Sequence, residues 1–402
     1  MRYPLIEIMD TTLRDGEQTS GVSFTRSEKL SIFKLLVEEL HIPRVEVTSA
    51  RVSSGEFDTL KRICDWAGKN GHLEKVEVLG FVDNGLSAEW IREAGGKVIN
   101  LLCKGSEKHC RGQLKKTPEE HIEDVLKEVN IAVAKGLKVN VYLEDWSNGI
   151  KDKPEYVFNM MDKLRYAPIE RFMLPDILDP YNTFDLVKKM VKEYPELRFD
   201  FHAHNDYDLA TSNLFAALKV GASGVHTTVN GLGERAGNAP LSSAVAIIHD
   251  MLKLQTGIDE TKINRVSRIV ESYSGVAIPF NKPIIGENVF TQCAGVHADG
   301  DSKDKLYSNN LIPERFGRTR EYALGKLSGK ANIRKNLEAI GLELSEENIQ
   351  KVTQRITELG DKKEIVTQED LPYIVTDVLK HGNHNDKIKL INYQLSITKG
   401  LR

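Results

Sequence analysis

Residues 197–208 read Leu-Arg-Phe-Asp-Phe-His-Ala-His-Asn-Asp-Tyr-Asp, and the part from 198 to 204 has the alternation of a β-strand. Successive side chains of a strand point to opposite faces, so an aspartate shares one face with His202 and His204 while two phenylalanines share the other. The two imidazoles then point the same way, about 6.6 Å apart along the strand. One divalent metal could contact both at ~2.0–2.1 Å. Two hydrogen-bonded histidines on a polar strand face are the alternative interpretation.

This stretch contains the seventh of eight strand-like segments in the chain. The predicted strands are 5–9, 44–48, 75–81, 98–103, 138–143, 170–174, 198–204 and 224–229. Helix-patterned segments lie between them, including 27–40, 54–70, 117–135, 154–164, 181–193 and 208–219. Eight strand–helix units predict an α/β fold, the (β/α)8 or TIM barrel. An open doubly wound sheet is disfavoured because residues 10–16, Asp-Thr-Thr-Leu-Arg-Asp-Gly, are not a glycine-rich phosphate loop.

The pattern changes after the last of these units. Residues 278–320 are rich in turn formers and charge, and residues 322–380 resemble a set of short helices. The segment 387–398 alternates like a single strand, which cannot form a stable sheet alone. We therefore expect a TIM-barrel domain over 1–275, a linker and smaller, mainly helical module over 276–385, and the start of a further domain over 386–402.

The composition is that of an ordinary globular protein, with 402 residues, 40% of them hydrophobic and 28% charged. We expect no signal peptide, because a strand-like segment begins at once, and no membrane span, because apolar runs are short. A net charge of −3 argues against nucleic acid as the main partner. Four cysteines have neither metal-ligand nor disulfide spacing, as expected of a cytoplasmic protein: Cys64, Cys103, Cys110 and Cys293.

Polar residues follow several of the predicted strands, at the end where barrels carry their chemistry. Asp15 follows strand one, His202 and His204 end strand seven, and Asn238 follows strand eight. Closure of the barrel makes strands one, seven and eight neighbours. These four side chains could therefore bind Mn²⁺, Zn²⁺ or Mg²⁺ with positions left open for a substrate.

Two further polar residues at this end are candidate catalytic groups. Arg14 could stabilise negative charge on a carbonyl oxygen, or it could simply pair with Glu17. Glu144, at the end of strand five, could assist deprotonation of a carbon acid, or it could be a paired carboxylate at the rim.

Two groups of residues after the predicted barrel are further candidates for a functional role. His297 and Tyr307 lie in a polar loop, where such residues are more often structural. Between Glu314 and Lys335 seven basic residues stand against two acidic ones. A solvated helix face is the simpler explanation of that charge, and an anionic, phosphate-bearing cofactor such as coenzyme A is the alternative.

The motifs resemble those of the isopropylmalate, citramalate and homocitrate synthase family, the DRE-TIM metallolyases. The resemblance covers nearly the whole chain. Three motifs occur in order: Leu-Arg-Asp-Gly-Glu-Gln at 13–18, followed after ten residues by Lys29, then Phe199 to Asp206, and Gly-Asn-Ala-Pro at 237–240. The resemblance implies condensation of acetyl-CoA with a 2-oxo acid. The closest likeness is to citramalate synthase-like and 2-isopropylmalate synthase-like chains.

The resemblance also implies a role for each candidate residue. The implied metal ligands are Asp15, His202, His204 and Asn238, and the implied catalytic residues are Arg14, Glu144, His297 and Tyr307. The implied substrate-binding residues are Gln18, Leu79, Leu102, Tyr142 and Ile177, and the candidates for cofactor binding are Arg315 and Arg318. The family further implies a homodimer in which His297 and Tyr307 serve the partner's site.

The pocket positions favour pyruvate as the oxo acid and citramalate as the product. Isopropylmalate synthases more usually carry His and Ser where Leu102 and Tyr142 stand, and a bulky tyrosine leaves less room for the branched 2-oxoisovalerate. Isopropylmalate synthase activity in leucine biosynthesis remains the main alternative. A homocitrate synthase, a metal-dependent lyase or aldolase on the same barrel, and a non-catalytic metal-binding protein are more remote.

Three departures from the family pattern affect these expectations. Ile177 stands where a threonine normally helps to hold the oxo acid, so substrate affinity is in question. Asp208 replaces a glycine and is expected to be tolerated at a helix start. Longer members continue into a regulatory domain, and this chain ends about where that domain begins, so we expect no feedback inhibition by leucine or isoleucine.

Overall fold

A computed structural model describes residues 5–176, 178–294 and 309–380. The chain divides into two compact units between Ile285 and Gly286. Within the described residues no helix is both long and apolar enough to cross a membrane. The predicted lone strand at 387–398 lies outside the described residues.

The first unit contains a closed barrel of eight parallel strands in chain order, which confirms the predicted TIM barrel. The strands are β1 Glu7–Asp10, β2 Arg44–Ser49, β3 Val76–Phe81, β4 Val98–Lys104, β5 Lys138–Glu144, β6 Arg171–Asp176, β7 Phe199–Ala203 and β8 Gly224–Thr227. β1 pairs with both β2 and β8, and β8 also pairs with β7. This closure brings the segments after strands one, seven and eight to one side of the barrel mouth.

Helices connect the strands of the first unit. Those of seven or more residues are Arg26–Lys34, Ser54–Lys69, Leu86–Glu93, Pro118–Ala134, Trp146–Asp152, Pro154–Leu164, Pro180–Glu193, Ala210–Lys219, Leu241–Asp250 and Ile263–Ser274. Shorter helical turns and π-turns are Gly16–Gln18, Leu35–Glu39, Leu73–Lys75, Glu107–His109, Cys110–Leu114, Val229–Gly231 and Glu260–Lys262. Thr117 and Glu120 form the expected capping box, with Pro118 at the first helical position.

Charged residues fill part of the barrel interior, because alternate positions of its strands point inward. Arg44 on β2 donates to Glu77 on β3 at 2.5 Å and also binds Asp200 on β7. Arg171 on β6 donates to the same Asp200 at 3.0 Å. Mutual pairing satisfies these buried charges and fixes Asp200 below the pocket end of the barrel.

One expectation about the region after β7 is wrong. Asp208 does not lie on a helix start, because the following helix begins at Ala210. Its φ of 58° is in the left-handed region, which glycine adopts without strain and aspartate tolerates better than most residues. The side-chain amide nitrogen of Asn205 donates to the Asp208 carboxylate at 3.1 Å and stabilises this turn.

The second unit combines helices with a very small sheet. Strands Thr291–Gln292 and Glu321–Tyr322 pair in parallel, and the helical segments are Glu287–Phe290, Pro313–Phe316, Lys330–Ala339, Glu346–Asp361 and Leu371–Lys380. Its three long helices share an apolar core that includes Ile333, Leu337, Val352, Ile356 and Leu371. The sequence of this region is amphipathic because one face of each helix packs into this core.

Candidate active site

A cavity of about 250 Å³ opens at the carboxyl end of the barrel. Nine of its lining residues are among the candidates from the sequence: Arg14, Asp15, Gln18, Leu79, Leu102, Tyr142, Glu144, His202 and His204. Pro175 and Glu234 complete the lining and were not candidates. Residues from seven strands or the loops that follow them therefore converge on one pocket, as in other TIM barrels.

Asp15, His202 and His204 form the innermost cluster of this pocket. One potential ligand atom from each lies within 4.8 Å of the other two. The His202 Nε2 atom is 3.2 Å from an Asp15 oxygen, and the rings of His202 and His204 are 4.8 Å apart. The backbone of His204 forms a bridge with Asn238, which brings the fourth candidate to the same place.

The hydrogen-bonding state of these atoms fits a metal site. Among the described residues, no hydrogen-bond partner is found for four buried atoms: both Asp15 carboxylate oxygens, which have only the ion-pair contacts to His202 and Arg14, the Asn238 side-chain oxygen and the His204 Nδ1 atom. The Asn238 side-chain nitrogen donates to the Leu232 carbonyl at 3.2 Å, so the amide oxygen is the atom left free. Buried polar atoms are rarely left unsatisfied, and this carboxylate, amide and imidazole set suits a divalent ion.

Electrostatics keep these groups in the protonation states that a cation requires. Burial alone would raise the pKa of Asp15, but the Arg14 guanidinium and the two histidines hold it well below its usual range. Burial and the neighbouring His202 lower the pKa of His204 to about 3. Asp15 is therefore anionic and His204 neutral at pH 7.

Arg14 is held in one orientation at the wall of the pocket. Its Nε atom donates to Glu46 at 2.7 Å, its Nη2 atom donates to the Tyr142 hydroxyl at 3.4 Å, and its Nη1 atom is 3.4 Å from Asp15. Burial would lower the pKa of Arg14, but Glu46 and Asp15 raise it above its usual value. The pairing with Glu17 considered as an alternative is wrong, because Glu17 instead pairs with Lys29 at 2.6 Å.

Tyr142 forms the floor of the pocket. It packs with Met9, Leu79 and Met173, and Leu102 contacts the same cluster. Its side chain is almost completely buried, so any enlargement of the pocket at this point requires a smaller residue here.

Sequence reasoning missed two residues beneath this floor, Glu46 and His226. Glu46 accepts hydrogen bonds from Thr11 at 2.9 Å and Asn100 at 2.8 Å as well as from Arg14. The Nδ1 atom of His226 is 3.1 Å from the Tyr142 hydroxyl. Both residues lie on strands and face the interior of the barrel. A polar or charged residue at an inward strand position is the sequence feature by which they could have been found.

Glu144 lies at the mouth of the pocket, where 37% of its side chain is exposed. It pairs with Lys104 at the end of the neighbouring β4. The ion pair holds the carboxylate beside the opening of the pocket.

The remaining candidates fall into two groups. Ile177, His297 and Tyr307 lie outside the described residues. In the second unit, Arg315 donates to the Asn310 carbonyl at 3.2 Å, and Arg318 donates to the Gly286 and Glu287 carbonyls at 2.6 and 2.7 Å. These contacts give both arginines a structural use within their own unit.

Comparison with known proteins agrees with this picture. A family model described as HMGL-like matches residues 5–270, and one described as homocitrate synthase post-HMGL domain-like matches residues 284–364. The (R)-citramalate synthase of Methanocaldococcus jannaschii is 35% identical over 378 residues, covering 93% of this chain and 75% of that protein. The 2-isopropylmalate synthase of Saccharolobus solfataricus is 33% identical over 384 residues, covering 94% of this chain and 97% of that protein.

Solved structures share the fold. The HMG-CoA lyase of Bacillus subtilis has a TM-score of 0.61 at 21% sequence identity, over 71% of this chain and 98% of that one. At this level of sequence identity, the similarity shows a shared fold and nothing more.

Proposed function

The chain belongs to the HMGL-like family, and on this basis we propose that it is an acyltransferase that condenses acetyl-CoA with a 2-oxo acid. The acceptor in this proposal is pyruvate and the product is (R)-citramalate, an early step of branched-chain amino-acid biosynthesis. The observation that carries the proposal is the convergence of unsatisfied buried metal-binding atoms, a fixed arginine and a carboxylate on one small pocket.

In this proposal Asp15, His202, His204 and Asn238 hold a divalent metal. Such an ion, when bound, supplies a Lewis acid and a template for the carboxylate and keto oxygens of the acceptor. Manganese, zinc and magnesium are all compatible with two nitrogen and two oxygen ligands.

Arg14 stabilises the keto oxygen of the acceptor as it gains negative charge. Glu46 and Tyr142 fix the guanidinium before the reaction, so little reorganisation is needed when that charge develops. A lysine could not contact Glu46, Tyr142 and Asp15 in the way that Arg14 does, because an ammonium lacks the planar fork of donors.

Glu144 removes a proton from the methyl group of acetyl-CoA. The enolate carbon then attacks the keto carbon of the acceptor, which forms the new carbon–carbon bond while the keto oxygen takes up a proton. Water finally cleaves the thioester, releasing coenzyme A and a carboxylate. The exposed position of Glu144 at the opening of the pocket supports its role toward the larger substrate.

The proposal also includes residues that family membership suggests. His297 and Tyr307 assist the proton transfers, and in a homodimer they serve the partner's pocket. Arg315 and Arg318 are candidates for binding the phosphates of coenzyme A. Gln18 and Ile177 contact the acceptor, with Gln18 lining the pocket from the loop after β1.

A 2-isopropylmalate synthase is the second candidate function. The support for it is the similarity to relatives of that name over almost their whole length. The bulky Tyr142 beside Leu79 and Leu102 favours pyruvate, since it leaves little room for a branched side chain.

Release of free coenzyme A tests the reaction class. Pyruvate, 2-oxoisovalerate, 2-oxoglutarate and glyoxylate are offered separately with acetyl-CoA and Mn²⁺, and free thiol is measured. Cys293 is exposed, so a reaction without acceptor sets the baseline. We expect the fastest release with pyruvate. A preference for 2-oxoisovalerate would establish the second candidate, and no release with any acceptor would exclude both.

Two variants separate metal binding from proton transfer. His204→Ala is expected to lose Mn²⁺ binding and activity together, because it removes a ligand. Glu144→Gln keeps the shape of the side chain but cannot act as a base, so we expect unchanged Mn²⁺ binding and a 10²–10⁴-fold lower kcat, on the order of what a general base contributes. Equal loss of Mn²⁺ binding in both variants would contradict these roles.

A further inference from the structure

His226 on β8 is a buried histidine in contact with two residues of the pocket. Its Nδ1 atom is 3.1 Å from the Tyr142 hydroxyl and 3.3 Å from the His202 Nδ1 atom. Its Nε2 atom is 3.6 Å from a carboxylate oxygen of Asp200. The residue is about 1% exposed, and the charges of Arg44 and Glu46 also lie near it.

The neighbours determine which nitrogen of His226 carries the proton. A neutral imidazole has one N–H donor and one acceptor nitrogen. The Asp200 carboxylate can only accept, and it is fixed by Arg44 and Arg171. Its negative charge, 3.6 Å from Nε2, favours the tautomer with the proton on Nε2, although no hydrogen bond forms at that distance. The Nδ1 atom of His226 is therefore an acceptor facing the pocket.

For His202 the reason is different, because a histidine that holds a metal must offer it an unprotonated nitrogen. Its Nε2 atom faces Asp15 at 3.2 Å, which makes Nε2 the nitrogen on the metal side. The proton of a neutral His202 then lies on Nδ1, which is the atom that faces the acceptor nitrogen of His226. A donor–acceptor contact thus joins His202 to His226, and the charge of Asp200 lies on the far side of the His226 ring.

We propose that His226 is a positioning residue, which fixes the tautomer and ring orientation of His202 and joins that ligand to the Tyr142 floor of the pocket. The inference deepens the proposed function and rests on the metal site within it. Groups that orient a metal-binding histidine typically change metal affinity by 10–100-fold when they are removed. His226 is not among the residues that line the pocket, so its effect acts through His202 and Tyr142.

Mn²⁺ affinity of the purified full-length protein, measured by titration without substrates, tests the inference. The variants are His226→Asn, whose amide oxygen can accept where Nδ1 does, and His226→Gln and His226→Leu, which cannot. We expect the Kd for Mn²⁺ to rise about 10–100-fold in His226→Gln and His226→Leu, and to stay within about threefold of wild type in His226→Asn. If the leucine variant does not fold, the glutamine variant gives the same comparison.

His249→Asn is the matched control. His249 is a part-buried histidine that contacts Thr256 and Glu260, and none of its contacts involves the pocket. We expect lower thermal stability with an unchanged Kd for Mn²⁺. An unchanged Kd in His226→Gln, or equal weakening in the asparagine and glutamine variants, would overturn the inference.

The test also separates this inference from the proposed reaction. Wild-type protein that binds Mn²⁺ but releases no coenzyme A would overturn the reaction and leave the role of His226 standing. Wild-type protein that binds no Mn²⁺ would overturn the metal site and the role of His226 together.

Discussion

Tyr142 uses its ring and its hydroxyl for different purposes. The ring closes the pocket against Leu79 and Met173, whereas the hydroxyl contacts Arg14 and His226. Volume and hydrogen bonding at this position can therefore be separated by substitution. The separation matters because acceptor choice and catalytic efficiency depend on different parts of one side chain.

Tyr142→Val is expected to enlarge the pocket and admit a branched acceptor. One or two methylene groups in an apolar pocket are worth about 10–200-fold in discrimination, so the kcat/KM ratio of 2-oxoisovalerate to pyruvate should rise at least about tenfold. Tyr142→Phe keeps the ring, so we expect the ratio to stay constant while both values fall by about fivefold, the equivalent of one hydrogen bond. Steady-state kinetics with both acceptors measure this. An equal change of the ratio in both variants would show that the hydroxyl, not the volume, selects the acceptor.

From the residues themselves, the sequence predicts the charged and metal-binding part of the candidate site, because these residues lie at or just after the ends of strands. Asp15 and His204 were found in this way, since the barrel rule brings strand ends together. Glu46 and His226 were missed because they lie within strands, where a polar residue is as readily a core residue as a functional one. Their importance follows from contacts across the barrel, and those contacts depend on strand register that local sequence does not determine.

The segment between β1 and the first helix is stabilised by a buried lysine. The Lys29 side chain is 1% exposed, and its Nζ atom lies 2.6 Å from Glu17 and 2.7 Å from Glu56. Glu17 also accepts a hydrogen bond from the Phe24 amide at 2.8 Å. Lys29 thus connects the loop that carries Arg14 to the helix after β2.

Lys29→Met should destabilise the first unit by about 3 kcal/mol or more, because it leaves two largely buried carboxylates without a cation. Urea unfolding monitored by circular dichroism measures the change. Lys138→Met is the control, since Lys138 pairs with Glu74 on the surface and its removal should cost at most about 1 kcal/mol. Equal costs for the two variants would mean that the buried cluster contributes no more than a surface pair.

Among the elements, strands were predicted more reliably than helix ends. The strand bounds differ from expectation by only one or two residues, because apolar runs limited by turn residues are a strong signal. The helix Leu86–Glu93 was expected between strands three and four but was given no bounds, and it begins after Gly85 in a left-handed conformation without a capping side chain. The predicted helix over 27–40 is an α-helix only to Lys34 and continues as a π-turn. Such details depend on packing rather than on local pattern.

The predicted metal site should make the whole molecule sensitive to divalent ions. Binding to the folded state alone stabilises a protein by about 2.7 kcal/mol at a ligand concentration 100 times the Kd. For a unit of this size we expect Mn²⁺ to raise Tm by about 5 °C or more and a chelator to reverse the change. His204→Ala provides the control, because it should unfold at the same temperature with and without Mn²⁺. An equal shift in that variant would place the stabilising ion elsewhere.

Acetyl-CoA labelled with ¹³C in its methyl group tests the central claim most directly. The protein is incubated with this substrate, pyruvate and Mn²⁺, and the products are identified by ¹³C NMR and mass spectrometry. The proposed reaction predicts that the label appears in a methylene carbon of citramalate, in an amount equal to the coenzyme A released. Label found only in acetate or in unreacted acetyl-CoA, with no new carbon–carbon bond to pyruvate or to 2-oxoisovalerate offered in its place, would contradict it.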